Sequence, residues 1–277
     1  MQKNLKSNKQ KNSINNKRLK FSIIGYPLNN PRSVPLWRNF LKKKKINGKM
    51  YPIELMPKKL NSFVKRFKEE ENFIASAVTM PFKEKIFNKV FIEDKISSYA
   101  KAINLIVKKR DKILGYNTDV YGMLKCLPKN KKNILIIGQG GTGKAAFNVL
   151  RNLNKKIKFN IISSKHKLLN LKFKGRAKFF PRVNDDILKH ADLIINCTPL
   201  GSNLNKIWIR QTPLNKRQIG ILNKKCVIFD LVYKPSKTIL SNLSRKSKIK
   251  YINGLKMNTL QAERALDIVF KNLKELN

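Results

Sequence analysis

The sequence is poor in acid, histidine and cysteine, and it has no long apolar run; each shortage excludes something. Two histidines, His166 and His190, cannot supply a His-rich metal site, and no metal is expected. Three cysteines, Cys126, Cys197 and Cys226, form no CxxC pair and are odd in number. That argues against a disulfide framework and for a reducing, cytoplasmic setting. No apolar stretch approaches the roughly 20 residues of a membrane span, so no membrane is expected. Asp and Glu number 16 against 61 Lys and Arg, a formal charge of +45. Such a balance raises a polyanion-binding protein as one reading. The lysines, however, are spread along the whole chain and accompanied by abundant Asn and Ile, the signature of AT-rich codon usage. No nucleic-acid-binding motif goes with them, so no specific nucleic-acid partner is expected; charge alone gives weak, salt-sensitive binding.

What is present suits a folded protein. A chain of 277 residues with 42% hydrophobic and 9% aromatic residues can build two cores. Residues 1–18 are basic and read as a solvated, mobile tail. From residue 20 onward, β-like runs alternate with helical stretches, the pattern of an α/β protein. FSIIG at 21–25, KMYPIEL at 49–55 and FIASAVTM at 73–80 read as strands. Residues 34–45 and 58–70 have helical apolar spacing, and PFKEKIFNKV at 81–90 is predicted as a helix with Pro81 in its first turn. AINLIVKK and KILGYN read as a hairpin turning at Arg110-Asp111. A second α/β unit opens near Lys131 with NILIIG, an almost wholly apolar run expected of a parallel strand buried on both faces. The stretch 258–276 is predicted as a long amphipathic helix.

Between the NILIIG strand and the next helix lies GQGGTGKAA. Gly138, Gly140 and Gly143 make G-x-G-x-x-G, which lets backbone approach a pyrophosphate at a helix N-terminus. Gln139, Gly141 and Thr142 complete the loop. The same residues nearly spell a P-loop, so an NTPase is the rival of a different class. In a P-loop the residue after Lys144 must be Ser or Thr to ligate magnesium, and here it is Ala145. At the end of the second strand, where an NAD enzyme usually offers an acid to the ribose 2′-hydroxyl, the chain offers Ser163, Ser164 and Lys165. Hydroxyls beside a cation suit a 2′-phosphate, which favours NADP as cofactor.

Two further motifs, SAVTMPFKEKI at 76–86 and GYNTDVYG at 115–122, stand with GYPLNNPRSVP, AINL, NCTPLG, DLVYKPSKT and NGLKMNTLQA in one order along the chain. This series resembles the shikimate dehydrogenases, and the resemblance runs from residue 20 to the end. It implies reduction of 3-dehydroshikimate to shikimate with NADPH, on the way to chorismate and the aromatic amino acids, by a monomer or homodimer. It implies Lys83 and Asp119 as the catalytic pair. The chemistry agrees, because an ammonium can stabilise and protonate the alkoxide formed when a ketone receives hydride. The resemblance further implies Ser33, Thr79, Asn104, Tyr233 and Gln261 around the substrate. For the cofactor it implies the 138–143 loop, Ser163 to Lys165, Thr198, Pro199, Leu200 and Gly254. Cys197 has no adjacent base and is not expected to be a nucleophile.

The chain departs from the family pattern at Pro31, where the first serine of a Ser-x-Ser loop usually stands, and at Ala77, usually Asn. Lys256 replaces a usual Gly, and Ser164 a common arginine. Each lost hydrogen bond to the substrate costs about 0.5–1.5 kcal/mol, or about 1.5–3 where a charge is involved. Arg32 offers a bidentate substitute toward a carboxylate. The alternatives are therefore a quinate- or shikimate-type dehydrogenase with an altered substrate, or a low-activity homologue. The expected organisation is a substrate domain at 19–118 completed by 254–277, and a Rossmann domain at 119–253, with a cleft that closes over NADPH and substrate.

Overall fold

The computed structural model of the protein describes residues 18–163 and 176–276. The tail before Arg18 and two expected cofactor residues, Ser164 and Lys165, lie outside the described residues. The chain divides into two compact units: one runs up to Tyr121 and resumes at Gln261, and the other is Gly122–Leu260.

The first unit is built on a five-stranded sheet. Its strands are β1 (Leu19–Gly25), β2 (Gly48–Glu54), β3 (Phe73–Val78), β4 (Leu105–Lys109) and β5 (Lys112–Tyr116), in the order β2-β1-β3-β4-β5. β1 pairs in parallel with β2 and β3, whereas β3–β4 and β4–β5 are antiparallel. Arg110, at the tip of the β4–β5 hairpin, takes a left-handed φ of 52°. Helices cover both faces of the sheet. On one face α1 (Ser33–Lys43) and the long C-terminal helix α9 (Leu255–Leu276) bring Trp37, Leu41, Ala265 and Val269 against Phe21, Met50 and Leu105. On the other, α2 (Leu60–Glu69) packs Phe63 and Phe67 against Ile24, Phe73 and Ile106. The alternation of β1, Phe21 and Ile23 to one side and Ile24 to the other, is the two-residue period of a strand buried on both faces.

The segment after β3 corrects one expectation. Residues 81–90 form turns and a short 3₁₀ helix, Phe87–Lys89, rather than an α-helix. The reason is a single backbone bond to a distant segment. The carbonyl of Lys83, which an α-helix would give to Phe87, accepts instead from the Ile103 amide at 2.7 Å, and the Phe87 amide goes to Glu84. Tertiary pairing thereby takes the bond that a continued helix needs.

The second unit is a six-stranded, wholly parallel sheet. Its strands are β6 (Asn133–Ile137), β7 (Lys158–Ile162), β8 (Ala177–Phe180), β9 (Leu193–Asn196), β10 (Val227–Asp230) and β11 (Lys250–Asn253), ordered β11-β10-β9-β6-β7-β8. The chain winds outward from β6 through β7 to β8, then returns to β6 and winds the other way through β9. This is a doubly wound Rossmann sheet, and its strand order reverses between β6 and β9. Helix α5 (Gly141–Leu153) follows β6 and sets Phe147 edge-on to Phe159 and Phe179. The short helices α6 (Asp185–His190), α7 (Lys216–Ile221) and α8 (Ile239–Lys246) bring Ile187, Leu188, Ile219 and Leu240 into a core with Leu135, Ile194 and Ile228.

Cys226 lies in that core, and burial pushes its thiol up to about 12 from an ordinary 9.0. At pH 8 its thiolate fraction falls about a thousandfold, and the thiolate is the reactive form. We expect iodoacetamide to label Cys226 only after unfolding in denaturant, as read by peptide mass mapping. Labelling at equal rates in folded and unfolded protein would contradict this packing.

Candidate active site

In the first unit, four residues named from the sequence, Lys83, Asn104, Asp119 and Gln261, are brought together around the start of one helix, where Thr118 and Asp119 are adjacent. Lys83 follows the turn after β3, and Asp119 is the second residue of α4 (Thr118–Cys126). Their side chains form an ion pair, Nζ to Oδ2 at 2.7 Å, about one-fifth exposed on each side (21% and 18%). This partial burial shields the pair from the screening that weakens surface ion pairs.

Asn117 prepares the position of Asp119. Its Oδ1 accepts from the Val120 amide at 2.9 Å, its Nδ2 donates to the Ala102 carbonyl at 2.7 Å, and its own amide donates to Ser97 Oγ. An Asx side chain of this kind fixes the entry of a helix. Asn104, just before β4, accepts from the Thr118 amide through Oδ1 and donates through Nδ2 to Thr118 Oγ1 at 2.9 Å. Gln261, on α9, completes the group: its Oε1 accepts from Thr118 Oγ1 at 3.2 Å and lies 3.5 Å from Asn104 Nδ2. Three segments distant in sequence thus share one polar network beside the Lys83–Asp119 pair.

Thr79 sits at the end of β3, its amide donating to the Ile24 carbonyl. Ser33 opens α1, and its Oγ is buried with no partner among the described residues. Such an orphaned hydroxyl at a helix start is suited to a ligand oxygen. The loop leading to it is fastened by Glu54, whose Oε2 accepts from the Leu28 amide at 2.8 Å.

In the second unit the glycine loop crosses from the end of β6 into α5, at the point where the strand order reverses. Gly138 takes a φ of +101°, and a Cβ there would lie 2.8 Å from Thr198 Cγ2. Gly143 faces the Gly138 carbonyl, with no room for a side chain between them. Gly140 differs from both. It caps α5, and a Cβ on it would meet nothing within 4 Å, so open space lies in front of the helix N-terminus. Gly141 and Thr142 form the first turn, and Gln139 Nε2 is buried with no acceptor among the described residues. Free amides, a positive helix end, open space and an unsatisfied donor fit the pyrophosphate of a dinucleotide.

They do not fit a P-loop. Ala145 is 2% exposed and packs into the core, so that position does not face the loop. Asp230, which could pose as the acidic end of a Walker B strand, is fully buried and engaged by three donors.

Thr198, Pro199 and Leu200 follow β9 and lie against the glycine loop through the approach of Thr198 to Gly138. Gly254 stands directly before α9, packed on the backbone of Leu231, and Tyr233 lies in this same second unit. Ser163 directly follows β7, and its amide donates to the Phe180 carbonyl at 3.0 Å. Burial pushes the Cys197 thiol up to about 12, against any nucleophilic role.

Sequence reasoning passed over Thr118, Asn117, Asn196 and Glu54. The first two stood inside the quoted motif NTD, whose middle letter carries a hydroxyl that joins Asn104 to Gln261. Asn196 opened the quoted motif NCTPLG and accepts from the Thr198 amide two residues on, but its other partner, the Asp230 side chain, is distant in sequence. Glu54 likewise acts on distant backbone, at Leu28, and no local pattern announces such partners.

Comparison with known proteins agrees with this geometry. Residues 23–106 match the family model of the shikimate dehydrogenase substrate binding domain. A shikimate dehydrogenase (NADP(+)) of Clostridium botulinum is 32% identical over 257 residues, covering 89% of this chain and 94% of its own length. That of Archaeoglobus fulgidus is 30% identical over 260 residues, covering 90% of this chain and 92% of its own. Among solved structures, a shikimate dehydrogenase in complex with NADP+ superposes with a TM-score of 0.75 at 26% identity, over 91% of this chain and 90% of that one. The polar network around Lys83 and Asp119, the glycine cradle on a doubly wound sheet and these relatives lead to one statement: the chain belongs to the shikimate dehydrogenase family.

Proposed function

We propose that this protein catalyses the NADPH-dependent reduction of 3-dehydroshikimate to shikimate, a step toward chorismate and the aromatic amino acids. The unit carrying Lys83 takes the substrate, and the unit carrying the glycine loop takes NADPH. The observation that carries the reading is the 2.7 Å pair of Lys83 and Asp119, set beside Asn104, Thr118 and Gln261.

NADPH, when bound, supplies the hydride. Lys83 holds a proton on Nζ beside the carbonyl oxygen, stabilises the alkoxide as charge develops and then gives up that proton. Asp119 keeps the ammonium in place and oriented. Asn104, Thr79 and Gln261 hydrogen-bond the ring hydroxyls, and Ser33 Oγ donates to the substrate carboxylate, with Tyr233 as an aromatic neighbour of that group. Gly138 to Gly143, with Thr198, Pro199, Leu200 and Gly254, surround the dinucleotide; Ser163, Ser164 and Lys165 take its 2′-phosphate end. We further propose that the enzyme works in the cytoplasm on a small molecule, as a monomer or homodimer. Its three free thiols suit a reducing compartment, and among the described residues no helix is long and apolar enough to cross a membrane.

The test follows absorbance at 340 nm with NADP+ and shikimate, with NADP+ and quinate, and without substrate. Turnover with shikimate well above that with quinate supports the reading; ATP hydrolysis without dehydrogenase activity would replace it.

Ala77 gives a second, finer test. It pairs with Ile23 and Leu105 in the sheet, two residues before Thr79 and on the same face of β3. Ala77→Asn restores one hydrogen-bonding side chain, worth about 0.5–1.5 kcal/mol, so kcat/KM for shikimate should rise about 2- to 10-fold. A fall instead would mean that the pocket is fitted to a substrate without that contact.

A further inference from the structure

The fully buried carboxylate of Asp230 belongs neither to the substrate group nor to the glycine loop. It ends β10 and collects three donors. Asn196 Nδ2 at 2.9 Å and the Val232 amide at 3.0 Å reach Oδ1, and the Tyr251 hydroxyl at 2.7 Å reaches Oδ2. Burial pushes its carboxyl above the usual range while these three bonds oppose the shift. Burying a charge with no cation bonded to it is costly, so a stable fold keeps one only where its hydrogen bonds are complete.

The bonds lead to one place. Asn196, held by Asp230 through Nδ2, turns Oδ1 toward the segment after β9. There it accepts from the Thr198 amide at 3.0 Å and from Thr198 Oγ1 at 2.6 Å. Thr198 Oγ1 in turn lies 3.4 Å from the Leu200 amide, and Thr198 Cγ2 bounds the space above Gly138. An asparagine amide can flip end for end; here the carboxylate fixes which end faces Thr198, because only the Nδ2 end can donate to it. On its other side Asp230 is held by Tyr251, whose hydroxyl is 3.4 Å from Thr238 Oγ1.

We infer that Asp230 is a positioning residue for the dinucleotide: through Asn196 it sets the Thr198–Leu200 turn against the glycine loop. The inference rests on the functional reading above and deepens it, since it concerns how the cofactor half of that site is held in shape.

The experiment measures NADPH affinity by quenching of protein fluorescence, alongside steady-state kinetics and shikimate binding. Asp230→Ala should raise the Kd for NADPH at least tenfold and change kcat at saturating NADPH less than about threefold. Asn196→Ala should do the same. The double variant should stay within about twofold of either single, because the two residues lie on one chain of contacts. Asp230→Asn keeps an Oδ1 for Asn196 and Val232, and the Tyr251 hydroxyl can rotate; affinity should remain within about threefold of wild type. Thr198→Val leaves Asp230 and its donors untouched while removing the hydroxyl bond to Asn196; it covers the case in which the alanine variants do not fold, and its Kd should rise at least threefold. An unchanged Kd in Thr198→Val, unchanged affinity in folded Asp230→Ala, or effects that multiply in the double variant would overturn the inference while leaving the enzyme reading intact. Wild-type protein that neither bound NADPH nor oxidised shikimate would overturn both.

Discussion

Lys83→Ala is expected to lower kcat for shikimate oxidation by about 10²–10⁴, the range that a positioned proton-transfer group contributes. The Lys83 backbone does structural work that the substitution leaves alone: its carbonyl still accepts from the Ile103 amide and holds the turn after β3. The loss should therefore fall on chemistry rather than on folding. What disappears is the ammonium 2.7 Å from Asp119, and with it the group that supplies or receives the proton at the reacting oxygen. Asp119→Asn should also lower kcat strongly, since a neutral amide holds the ammonium less firmly and cannot balance its charge. The double variant should be no worse than the worse single, as for residues that act as a unit. The measurement is kcat and KM for both singles and the double, with thermal unfolding as a control on the fold. Lys83→Ala with wild-type kcat would move the proton donor elsewhere in the site.

Why these two residues could be named from sequence, while their supports could not, follows from how each kind of information is written. Lys83 and Asp119 stand in short motifs, TMPFK and NTD, where residue type and spacing travel together. The glycine loop was legible for the same reason: a strand, three glycines and a helix are contiguous, so backbone geometry can be inferred locally. Strands buried on both faces, such as NILII, announce themselves by continuous apolar character.

The short elements failed that test. A helix of six residues, such as α6, α7 or α3 (Lys95–Ala100), completes too few turns to show a 3.6-residue period. Each nonetheless carried a cap: Asp94, Asn184 and Asn215 accept from the amides of Ser97, Ile187 and Gln218, and Asn215 with Gln218 forms a capping box. Reading caps before periodicity would have found them. The edge strands β8 and β11 are four residues long and partly exposed, which leaves little apolar pattern to read. The helix predicted at 81–90 failed for a different reason, since the Lys83 carbonyl it needed was claimed by the amide of residue 103.

The second large effect is expected at Gly143, and a neighbouring glycine separates its causes. In Gly143→Ala the new methyl would collide with the carbonyl of Gly138. That carbonyl cannot easily withdraw. Gly138 is held at φ +101°, its amide donates to Ile162 at 3.0 Å, and Thr198 Cγ2 closes the space on its other side. Overpacking against fixed backbone costs about 1–3 kcal/mol, so thermal unfolding should shift down, and the distorted loop should lose NADPH affinity by a factor of ten or more. Gly140→Ala places its methyl in open space and at an extended backbone conformation that alanine adopts freely, φ −68° and ψ 178°. Its stability cost should stay below about 1 kcal/mol, the scale of an N-cap change. Yet that open space is where the pyrophosphate should approach the helix N-terminus, so NADPH affinity should fall at least tenfold here as well. The two variants together thus distinguish a loop that is merely packed from one that cradles a ligand. Gly140→Ala with normal stability and normal NADPH affinity would show that the phosphates bind elsewhere; normal stability with lost affinity would place them against this backbone.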